Sequence, residues 1–229
     1  VRLPHLLQWL SDCEKNNQII DVIGLQELKT TEDKFPFQAL EEAGYSSLAL
    51  GQKTYNGVAL LARKKSLAPL HQTEDTIFLQ PQKNIPNLED EQQRLVSTTI
   101  QFKETPPLRI ICAYFPNGQA PGSEKFTYKM RWLEALHKYL KNELEKFPRL
   151  ILMGDFNIAP KDEDVHDPKA WEGQNLVSPE ERAYFSAFED LGLIDGYRLF
   201  DQAPKSFSWW DYRMMGFRRN AGLRIDHIM

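Results

Sequence analysis

One apolar run in this sequence ends abruptly in an acid and an amide, and that junction constrains the fold more than any other feature. The run LILM (150–153) has the length and composition of an internal β-strand, and Gly154 permits a tight turn after it. Asp155 and Asn157 follow, two residues apart, so in extended chain their side chains point the same way. A carboxylate can hold a metal ion or polarise water and an amide can fix an oxygen, which suits hydrolytic chemistry. Gly, Asp and Asn are also common turn residues, and a purely conformational turn is the competing interpretation.

A second apolar run, VIGLQELK (22–29), repeats this arrangement. Its apolar residues carry the chain inwards, and Glu27 appears where the chain should emerge. A carboxylate there is a candidate ligand for a hard cation, because Mg²⁺ takes oxygen ligands and keeps several waters. Glutamate is mostly exposed in proteins, so a Glu27 that only solvates the strand end is the alternative.

Two further apolar runs also carry polar groups. LRIICAYF (108–115) contains Tyr114 and is followed by Asn117, although the Pro-Asn-Gly sequence there also reads as an ordinary turn. GLRIDHIM (222–229) places Asp226 inside an apolar strand, where an unpaired buried charge is very costly. We therefore expect the polar groups of four strands to converge: Glu27, Tyr114, Asp155, Asn157 and Asp226.

The stretch from Lys205 to Arg224 mixes basic and aromatic side chains. Its basic members are Lys205, Arg213, Arg218, Arg219 and Arg224, interleaved with Trp209, Trp210, Tyr212, Met214, Met215 and Phe217. Such a mixture suits a surface that holds a phosphate backbone and inserts an apolar side chain into a duplex. The net charge of the chain is -4, but a global total can hide a basic face. A tryptophan pair in the core, with arginines solvating a loop, is the alternative.

Two other charged stretches are predicted to be solvated. In the helical stretch at 126–147, lysines such as Lys129 alternate with glutamates such as Glu143, which is typical of an exposed face. The acidic cluster at 162–167 is predicted to form an exposed loop just beyond Asp155.

Length and composition predict a single domain over residues 1–229. A chain of this length with 41% hydrophobic residues can bury a substantial core. No span approaches the roughly 18 continuous apolar residues needed to cross a membrane, and no signal peptide is visible. Cys13 and Cys112 are interpreted as reduced core residues of a cytoplasmic protein.

Periodicity predicts a mixture of helices and strands. Helices are predicted at 3–14, 35–44, 126–147 and 178–192, and strands at 20–26, 46–50, 57–63, 94–102, 108–115, 150–154, 206–210 and 223–228. The last helix has Ser178 as its N-cap and Glu181 completing a capping box. Consecutive strands at 46–63 and 94–115 indicate antiparallel hairpins, and the stretch at 80–93 is predicted to be a long loop.

Six motifs, in order along the chain, resemble the exonuclease III family of AP endonucleases, within the wider endonuclease, exonuclease and phosphatase fold. They are LQELK (25–29), YNGVALLAR (55–63), YFPNG (114–118), GDFNIAP (154–160), FSWWDYR (207–213) and GLRIDHI (222–228). The last two motifs are specific to the DNA-repair branch of that fold. The resemblance implies a four-layer α/β sandwich, in which two packed mixed β-sheets are flanked by helices.

The resemblance also implies metal-dependent hydrolysis of DNA phosphodiester bonds in base-excision repair. The substrate would be double-stranded DNA, nicked 5′ to abasic sites or trimmed at 3′ ends, and the protein would be a monomer with no membrane partner. Glu27 would bind Mg²⁺, with Mn²⁺ as the alternative. Asp155 would orient or deprotonate the attacking water, and Asn157 and Tyr114 would hold phosphate oxygens.

The remaining roles that the resemblance implies concern the surroundings of the reacting phosphate. Lys29 and Asn117 would support the phosphate and the metal, and Asp226 would orient a catalytic histidine. An apolar pocket for an extruded abasic sugar would be lined by Trp209, Leu223 and Ile225. Further DNA contacts would come from Trp210 and Arg213.

Two features of the sequence depart from the pattern that it resembles. Family members normally begin with a strand that carries a metal-site asparagine and end with a catalytic histidine in a Ser-Asp-His motif. This sequence opens inside a helix and stops at Met229, so we expect it to be a piece of a longer protein. His227 directly follows Asp226 and is predicted to face the opposite side of the strand.

Two other functions remain open at this point. The first is a phosphatase or phosphodiesterase that uses the same acidic groups on lipid or inositol phosphates. The second is a catalytically incomplete fragment that binds DNA.

Overall fold

The computed structural model describes residues 2–68, 77–103 and 105–229. The chain divides into two compact units, the first comprising residues 1–84 and 90–112 and the second residues 85–89 and 113–229. The single domain predicted from the sequence stays a prediction. Within the described residues, no helix is both long and apolar enough to cross a membrane.

The first unit contains a three-stranded antiparallel sheet with the strand order β1-β3-β2. Its strands are β1 (Val22–Gln26), β2 (Tyr45–Leu50) and β3 (Val58–Arg63). The register of β2 and β3 places Leu50 opposite Val58, which confirms the hairpin predicted at 46–63. The central strand β3 is buried over all but its last residue, which explains its continuous apolar sequence.

Two helices pack on this sheet. They are α1 (Leu3–Lys15) and α2 (Phe37–Glu42). Leu10 of α1 and Leu40 of α2 join Leu61 of β3 in one buried cluster. Proline in the first turn of α1 suits that position, because the missing N–H would have no partner inside the helix.

A second set of strands in the first unit contains β4 (Leu79–Lys83), β5 (Leu95–Ile100) and most of β6 (Leu108–Tyr114). β5 lies between β4 and β6 and is buried throughout. β4 falls in the stretch predicted to be a loop, so that prediction is wrong over its first residues. β4 is an edge strand with a bulge and a proline, Pro81, which an edge tolerates and which hides the alternation of a strand.

Both cysteines are buried and free, as the sequence predicts. Burial raises the pKa of the Cys112 thiol to about 12, and the amide of Gln26 donates a hydrogen bond to its sulfur at 3.1 Å. The thiol is therefore a packed, uncharged core group.

The second unit is built from helices and the remaining strands. The helices are α3 (Glu124–Lys146), α4 (Pro168–Trp171) and α5 (Pro179–Asp190), and the strands are β7 (Leu150–Asp155), β8 (Trp209–Trp210), β9 (Gly222–Leu223) and β10 (Asp226–Ile228). β7 lies between β10 and the end of β6, whereas β8 and β9 form a separate two-stranded ribbon. The single strand predicted at 223–228 is thus two short strands, separated by Arg224 and Ile225.

The two long helices of this unit follow their predicted pattern except for two charges, whereas the short helix α4 was not predicted. The capping box of Ser178 and Glu181 at the start of α5 is confirmed. On α3, however, Lys129 is 0% exposed and Glu143 is 4% exposed, so the prediction of a solvated face is wrong at both positions. Both residues share the helical spacing of the apolar residues on the buried face, which outweighs their charge once partners are available.

Gly154 occupies a position in β7 that has no room for a side chain. Its φ is +144°, and a Cβ there would lie 1.9 Å from the carbonyl oxygen of Ala113. We expect Gly154→Ala to lower the free energy of unfolding by about 3 kcal/mol or more, because the two backbones must separate. Urea unfolding monitored by circular dichroism measures this change.

The matched control is Gly173→Ala. Gly173 also has a positive φ, +68°, but nothing lies within 4 Å of a Cβ built there. Only backbone strain should remain, at a cost of about 1 to 2 kcal/mol. Equal losses for the two variants would contradict the importance of the close approach at Gly154.

Candidate active site

In the first unit, the segment after β1 presents Glu27 and Lys29. Both residues have a φ of +53°. The N–H groups of Leu28 and Lys29 donate to the carbonyl oxygens of Gly57 and Asn56, which fixes this turned backbone. The Lys29 ammonium lies 2.9 Å from the Glu27 carboxylate, and both side chains are about half-exposed. Glu27 is therefore accessible on a held backbone, as a ligand for a cation requires.

The loop that holds this segment is itself fixed by amides. Asn56 is buried, and its Nδ2 donates to Gln52 Oε1 at 3.1 Å and to Gln92 Oε1 at 2.5 Å. The sequence contained Asn56 in a family motif, but its supporting function follows only from these contacts.

In the second unit, Asp155 is the last residue of β7 and Asn157 lies beyond the strand. Asn157 has a φ of +51°, and its N–H donates to Asp155 Oδ1 at 2.9 Å. The prediction that both side chains point the same way in extended chain is therefore wrong. The acid instead closes an Asx turn, in which it accepts a hydrogen bond from the backbone two residues further on.

Three side-chain amides form a hydrogen-bonded chain, which we call the amide relay: Asn175, Asn117 and Asn157. Asn175 Nδ2 donates to Asn117 Oδ1, and Asn117 Nδ2 donates to Asn157 Oδ1, each at 3.0 Å. Asn157 Nδ2 then donates to the carbonyl oxygen of Phe115, also at 3.0 Å. Because each amide has one accepting and one donating end, the relay fixes the direction in which each one points. Nothing in the sequence indicated Asn175.

The fully buried ammonium of Lys129 lies against the backbone of two relay residues. It donates to the carbonyl oxygen of Asn157 at 2.7 Å and to that of Asn117 at 3.3 Å, and it pairs with the buried carboxylate of Glu181. Desolvation lowers the pKa of Lys129, against the attraction of Glu181 and of Asp155. The attraction of Asp155 places the Lys129 charge within electrostatic range of the candidate base.

Tyr114 lies at the end of β6 and is partly buried. The next residue, Phe115, donates its N–H to the carbonyl oxygen of Asp155 at 2.9 Å, so the ends of β6 and β7 are joined there. Tyr114 and Asp155 thus belong to neighbouring strand ends of one unit.

Asp226 lies directly opposite Asp155 in the antiparallel pairing of β10 and β7. Side chains of directly opposed residues leave the same face of a sheet, with Cβ atoms about 4.5 to 5.5 Å apart. The N–H groups of Ile225 and Asp226 both donate to Ser208 Oγ at 3.0 Å. Asp226 is an exposed residue, so the expectation of a charge buried inside the strand is wrong. Neighbouring groups still partly desolvate its carboxyl and raise its pKa, and a hydrogen bond from Ser208 partly offsets this. Two opposed acids favour a proton or a cation beside them.

His227 faces away from Asp226, as predicted, and is buried. Its Nε2 lies 2.8 Å from the carbonyl oxygen of Ile158, and Arg224 approaches its Nδ1 at 3.0 Å. A neutral ring protonated on Nε2 satisfies both contacts, because Nδ1 can then accept from Arg224. Because its ring is buried and both ring nitrogens take part in these contacts, His227 has a structural and not a catalytic role.

Arg224 is buried, so its predicted place on a basic surface is wrong. Its guanidinium bonds Asp164 Oδ1 at 2.6 Å and Asp195 Oδ2 at 2.7 Å. Desolvation opposes ionisation of Asp195, but the hydrogen bonds and charge of Arg224 outweigh it and lower the pKa of that carboxyl. Asp164 is also fully buried, so the prediction of an exposed acidic loop is wrong at this residue. The charged residues themselves are evident in the sequence, but the sequence did not predict that Arg224 pairs with these two aspartates.

The stretch at 205–220, which we call the aromatic segment, is largely exposed. Trp209 is 36% exposed, Tyr212 87% and Phe217 74%. Trp210 packs edge-on against Phe217 with ring centroids 5.0 Å apart, and its Nε1 donates to Asn220 Oδ1 at 3.0 Å. The basic residues Arg213, Arg218 and Arg219 are exposed on the same segment.

Leu223 and Ile225 are buried, at 0% and 2% exposure. They belong to an apolar cluster that also contains Ala159, Val165, Leu176 and Val177. The pairing of β8 with β9 places Trp209 opposite Leu223. Their assignment to a sugar pocket stays a prediction.

Residues 3–229 match the endonuclease/exonuclease/phosphatase family. The chain belongs to this family. Exodeoxyribonuclease III of Haemophilus influenzae is 38% identical over 219 residues, which cover 91% of this chain and 77% of that protein. The resemblance to the exonuclease III family that the motifs indicated is therefore confirmed.

Solved structures of this family share the fold. A 3′ phosphatase from Neisseria, bound to product DNA hairpin, superposes with a TM-score of 0.85 at 38% identity, covering 99% of this chain and 80% of that one. An AP endonuclease from Archaeoglobus fulgidus gives a TM-score of 0.80 at 26% identity, covering 96% and 78%. The predicted α/β fold with two β-sheets flanked by helices is confirmed.

The endonuclease/exonuclease/phosphatase family contains divalent-metal-dependent nucleases. Among the residues described here, no group of three or more histidine, cysteine, aspartate or glutamate side chains is arranged to hold a metal. Glu27 in the first unit is a hard oxygen donor, and so are Asp155 and Asp226 in the second unit. Either set on its own fits Mg²⁺, which commonly takes one or two carboxylates and completes its shell with water and phosphate.

The histidine beside Arg224 makes the stability of the fold depend on pH. Burial, and then the Arg224 charge, lower the pKa of His227 to about 4. In the unfolded chain this ring titrates near pH 6.5. Between these values the unfolded state binds more protons than the native state, so acidification destabilises the fold.

We expect the free energy of unfolding to fall by about 2 kcal/mol between pH 6.5 and pH 5 through His227 alone. His227→Gln cannot titrate but can still donate to Ile158, so it should lose this part of the slope. Urea unfolding of both proteins at the two pH values measures the difference. Titration of Asp226, whose pKa is raised, changes the free energy of unfolding in the opposite direction, but this contribution is the same in both proteins and cancels in the comparison. The pKa of Asp195 is lowered, so its titration affects the free energy of unfolding only at lower pH. If the free energy of unfolding falls equally in both proteins between these pH values, the assignment of this pH dependence to His227 is wrong.

Proposed function

We propose that this protein is a metal-dependent phosphodiesterase of base-excision repair, which nicks double-stranded DNA 5′ to abasic sites and trims 3′ ends. The class of DNA-repair nuclease predicted from the sequence is confirmed by its exodeoxyribonuclease III and AP endonuclease relatives. The observation that best supports the mechanism is the opposed pair Asp155 and Asp226 beside the amide relay.

Asp155 is proposed to orient the attacking water and to accept its proton. One of its oxygens accepts the N–H of Asn157 at 2.9 Å, which fixes the plane of the carboxylate. A carboxylate held in this way can accept a hydrogen bond from a water molecule. A positioned general base of this kind contributes about 10² to 10⁴ to the rate.

Asn157, Asn117 and Tyr114 are proposed to hold phosphate oxygens. Among the described contacts, the amide nitrogens of Asn117 and Asn157 each donate one hydrogen bond to the protein. A second N–H of Asn117, which is exposed, and of Asn157, which is 4% exposed, is proposed to bind the ligand. The Tyr114 hydroxyl is a further donor at the end of the neighbouring strand. Together these donors hold the phosphate so that water attacks in line with the leaving group.

Glu27 is proposed to hold Mg²⁺, or Mn²⁺ in its place, with Lys29 beside it. When bound, the cation neutralises charge on a nonbridging oxygen or on the leaving group. Asp226 is proposed to orient a catalytic histidine, as predicted from the sequence. His227 does not fill that histidine's place, because its ring is buried with Arg224 and Ile158.

The aromatic segment is proposed to contact DNA. Its exposed groups, including Trp209 and Arg213, and the partly buried Trp210 offer stacking surfaces and positive charge together. Lipid and inositol phosphates carry no bases that could stack on these rings. A phosphatase that acts on such phosphates is therefore not favoured. Abasic specificity, a monomeric state and a cytoplasmic location stay predictions.

Cleavage of a duplex with one abasic site tests the proposed function. We expect nicking by the purified protein only with a divalent metal, because carboxylates alone repel phosphate. In Mg²⁺, Asp155→Asn should lower kcat by about two to four orders of magnitude. The fold should survive, because the amide oxygen can still accept the Asn157 N–H.

The matched control is Asp201→Asn, which removes an exposed carboxylate elsewhere in the same unit. It should leave kcat unchanged. Full activity in excess chelator, or a loss below tenfold in Asp155→Asn, would show that this chemistry is assigned to the wrong groups.

Trp209 provides the test of abasic specificity. If its ring forms part of a pocket for a base-free sugar, Trp209→Ala should reduce discrimination between abasic and intact duplex by about 1 to 3 kcal/mol. Trp9→Ala removes an exposed tryptophan of the first unit and should leave that ratio unchanged. The measurement is kcat/KM on matched duplexes with and without the abasic site. An unchanged ratio in Trp209→Ala would remove this residue from the pocket.

A further inference from the structure

The buried pair of Lys129 and Glu181 has no evident value for stability alone. Both side chains are fully buried. Removing two charges from water costs several kcal/mol per ion, and apolar replacements of such pairs are often neutral or stabilising. A different requirement therefore accounts for a lysine at this position better than stability does.

The bonds of Lys129 show what that requirement is. An ammonium has three donors, and those of Lys129 go to Glu181 and to the carbonyl oxygens of Asn157 and Asn117. These two carbonyls belong to different loops, one after β7 and one after β6. A single charged group thus fixes the separation of the two loops that carry the candidate phosphate-holding amides.

Asn175 holds one of the two amides, Asn117, from a third loop. Its Nδ2 donates to Asn117 Oδ1 at 3.0 Å, and its Oδ1 is buried and has no hydrogen-bond partner among the described residues. That oxygen lies against Gly118, at 2.9 Å from where a Cβ would stand. The reversed amide would set two oxygens against each other at Asn117, so Asn175 is held with its donor towards the relay. A buried polar atom without a hydrogen bond lowers the free energy of unfolding by about 1 to 3 kcal/mol. The observed orientation of Asn175 carries this cost.

We propose that Lys129 and Asn175 are positioning residues for the reaction, which hold Asn157 and Asn117 at the separation and orientation that the scissile phosphate requires. The inference rests on the proposed function. In this role neither residue needs to contact the substrate. Lys129 acts on the backbone of the two amide residues, and Asn175 acts on the side chain of one of them.

The size of the expected effect follows from the tolerance of phosphate chemistry. A misplacement of about 1 Å at a reacting group can cost about 10²-fold in rate. Loss of a positioning contact should therefore appear in kcat on the abasic duplex. Binding of the duplex through the aromatic segment should change little, because that segment makes no contact with either residue among the hydrogen bonds described above.

Asn175→Ala is the first test, because this partly exposed residue can be truncated without opening the core. We expect kcat to fall about tenfold, while KM and the affinity for uncleaved duplex in chelator change less than about threefold. Gln174→Ala is the matched control, since it removes the neighbouring amide, which bonds only Ala170 among the described contacts. A kcat within twofold of that control would overturn the inference for Asn175.

Lys129 is tested by two variants, because its removal alone leaves the Glu181 charge buried and unpaired. Lys129→Met with Glu181→Gln removes both charges at similar volume, and Glu181→Gln alone retains the Lys129 nitrogen, which can still donate to the two carbonyl oxygens. We expect kcat of the double variant to lie about tenfold to 10²-fold below that of Glu181→Gln. Thermal unfolding and the stoichiometry of duplex binding correct each value for any inactive fraction. Equal corrected kcat values would overturn the inference for Lys129.

A readout independent of cleavage separates this inference from the proposed function. Hydrogen exchange of the side-chain amides, observed by NMR on ¹⁵N-labelled protein, reports whether Asn117 and Asn157 are held. We expect their N–H groups to exchange at least about tenfold faster in Asn175→Ala and in the double variant than in the two controls. Faster exchange with no cleavage by the wild-type protein would support the positioning and refute the proposed function. Unchanged exchange would refute the positioning whatever the activity.

Discussion

The stacking of Phe115 on Phe156 is the contact on which the polar groups of the second unit depend. Both rings are fully buried, and their centroids lie 4.2 Å apart. Phe115 directly follows Tyr114, and Phe156 stands between Asp155 and Asn157. A ring that is anchored in the core leaves its chain neighbours little freedom, so the same packing that stabilises the unit also sets where these groups emerge. Dense packing transmits such constraints because it leaves no space for small shifts.

Around this anchor the protein buries charge in closed groups. One is the pair Lys129 and Glu181, whose carboxylate also accepts two hydrogen bonds from Ser178. The other joins Arg224 to two aspartates. Breaking one partner of a buried pair typically costs about 3 to 5 kcal/mol, so each group is sensitive to any single change. Both groups link segments that are distant in the sequence.

The sequence predicted features that depend on local pattern. The apolar runs, the capping box of Ser178 and the opposite faces of Asp226 and His227 all follow from periods of 2 or 3.6 residues. It could not predict features that depend on a distant partner. Lys129 looked solvated because its counter-ion lies 52 residues away, and Arg224 looked like a DNA contact because its carboxylates lie 29 and 60 residues away. Asn175 carries no local signal, and its relation to Asn117 exists only in the folded chain.

The wide spacing of the Arg224 ion pairs has a consequence for synthesis of the protein. Asp164 and Asp195 are made well before their shared guanidinium, so on the ribosome both carboxylates remain without it until residue 224 emerges. Asp164 can pair with Arg198 in the meantime, but burying Asp195 earlier would leave uncompensated charge inside the core, which is strongly unfavourable. The turn that carries Asp195 should therefore stay open during translation and close when Arg224 arrives. A nascent chain stalled before that residue would expose the Phe156 side of the core, where transient association with chaperones is expected.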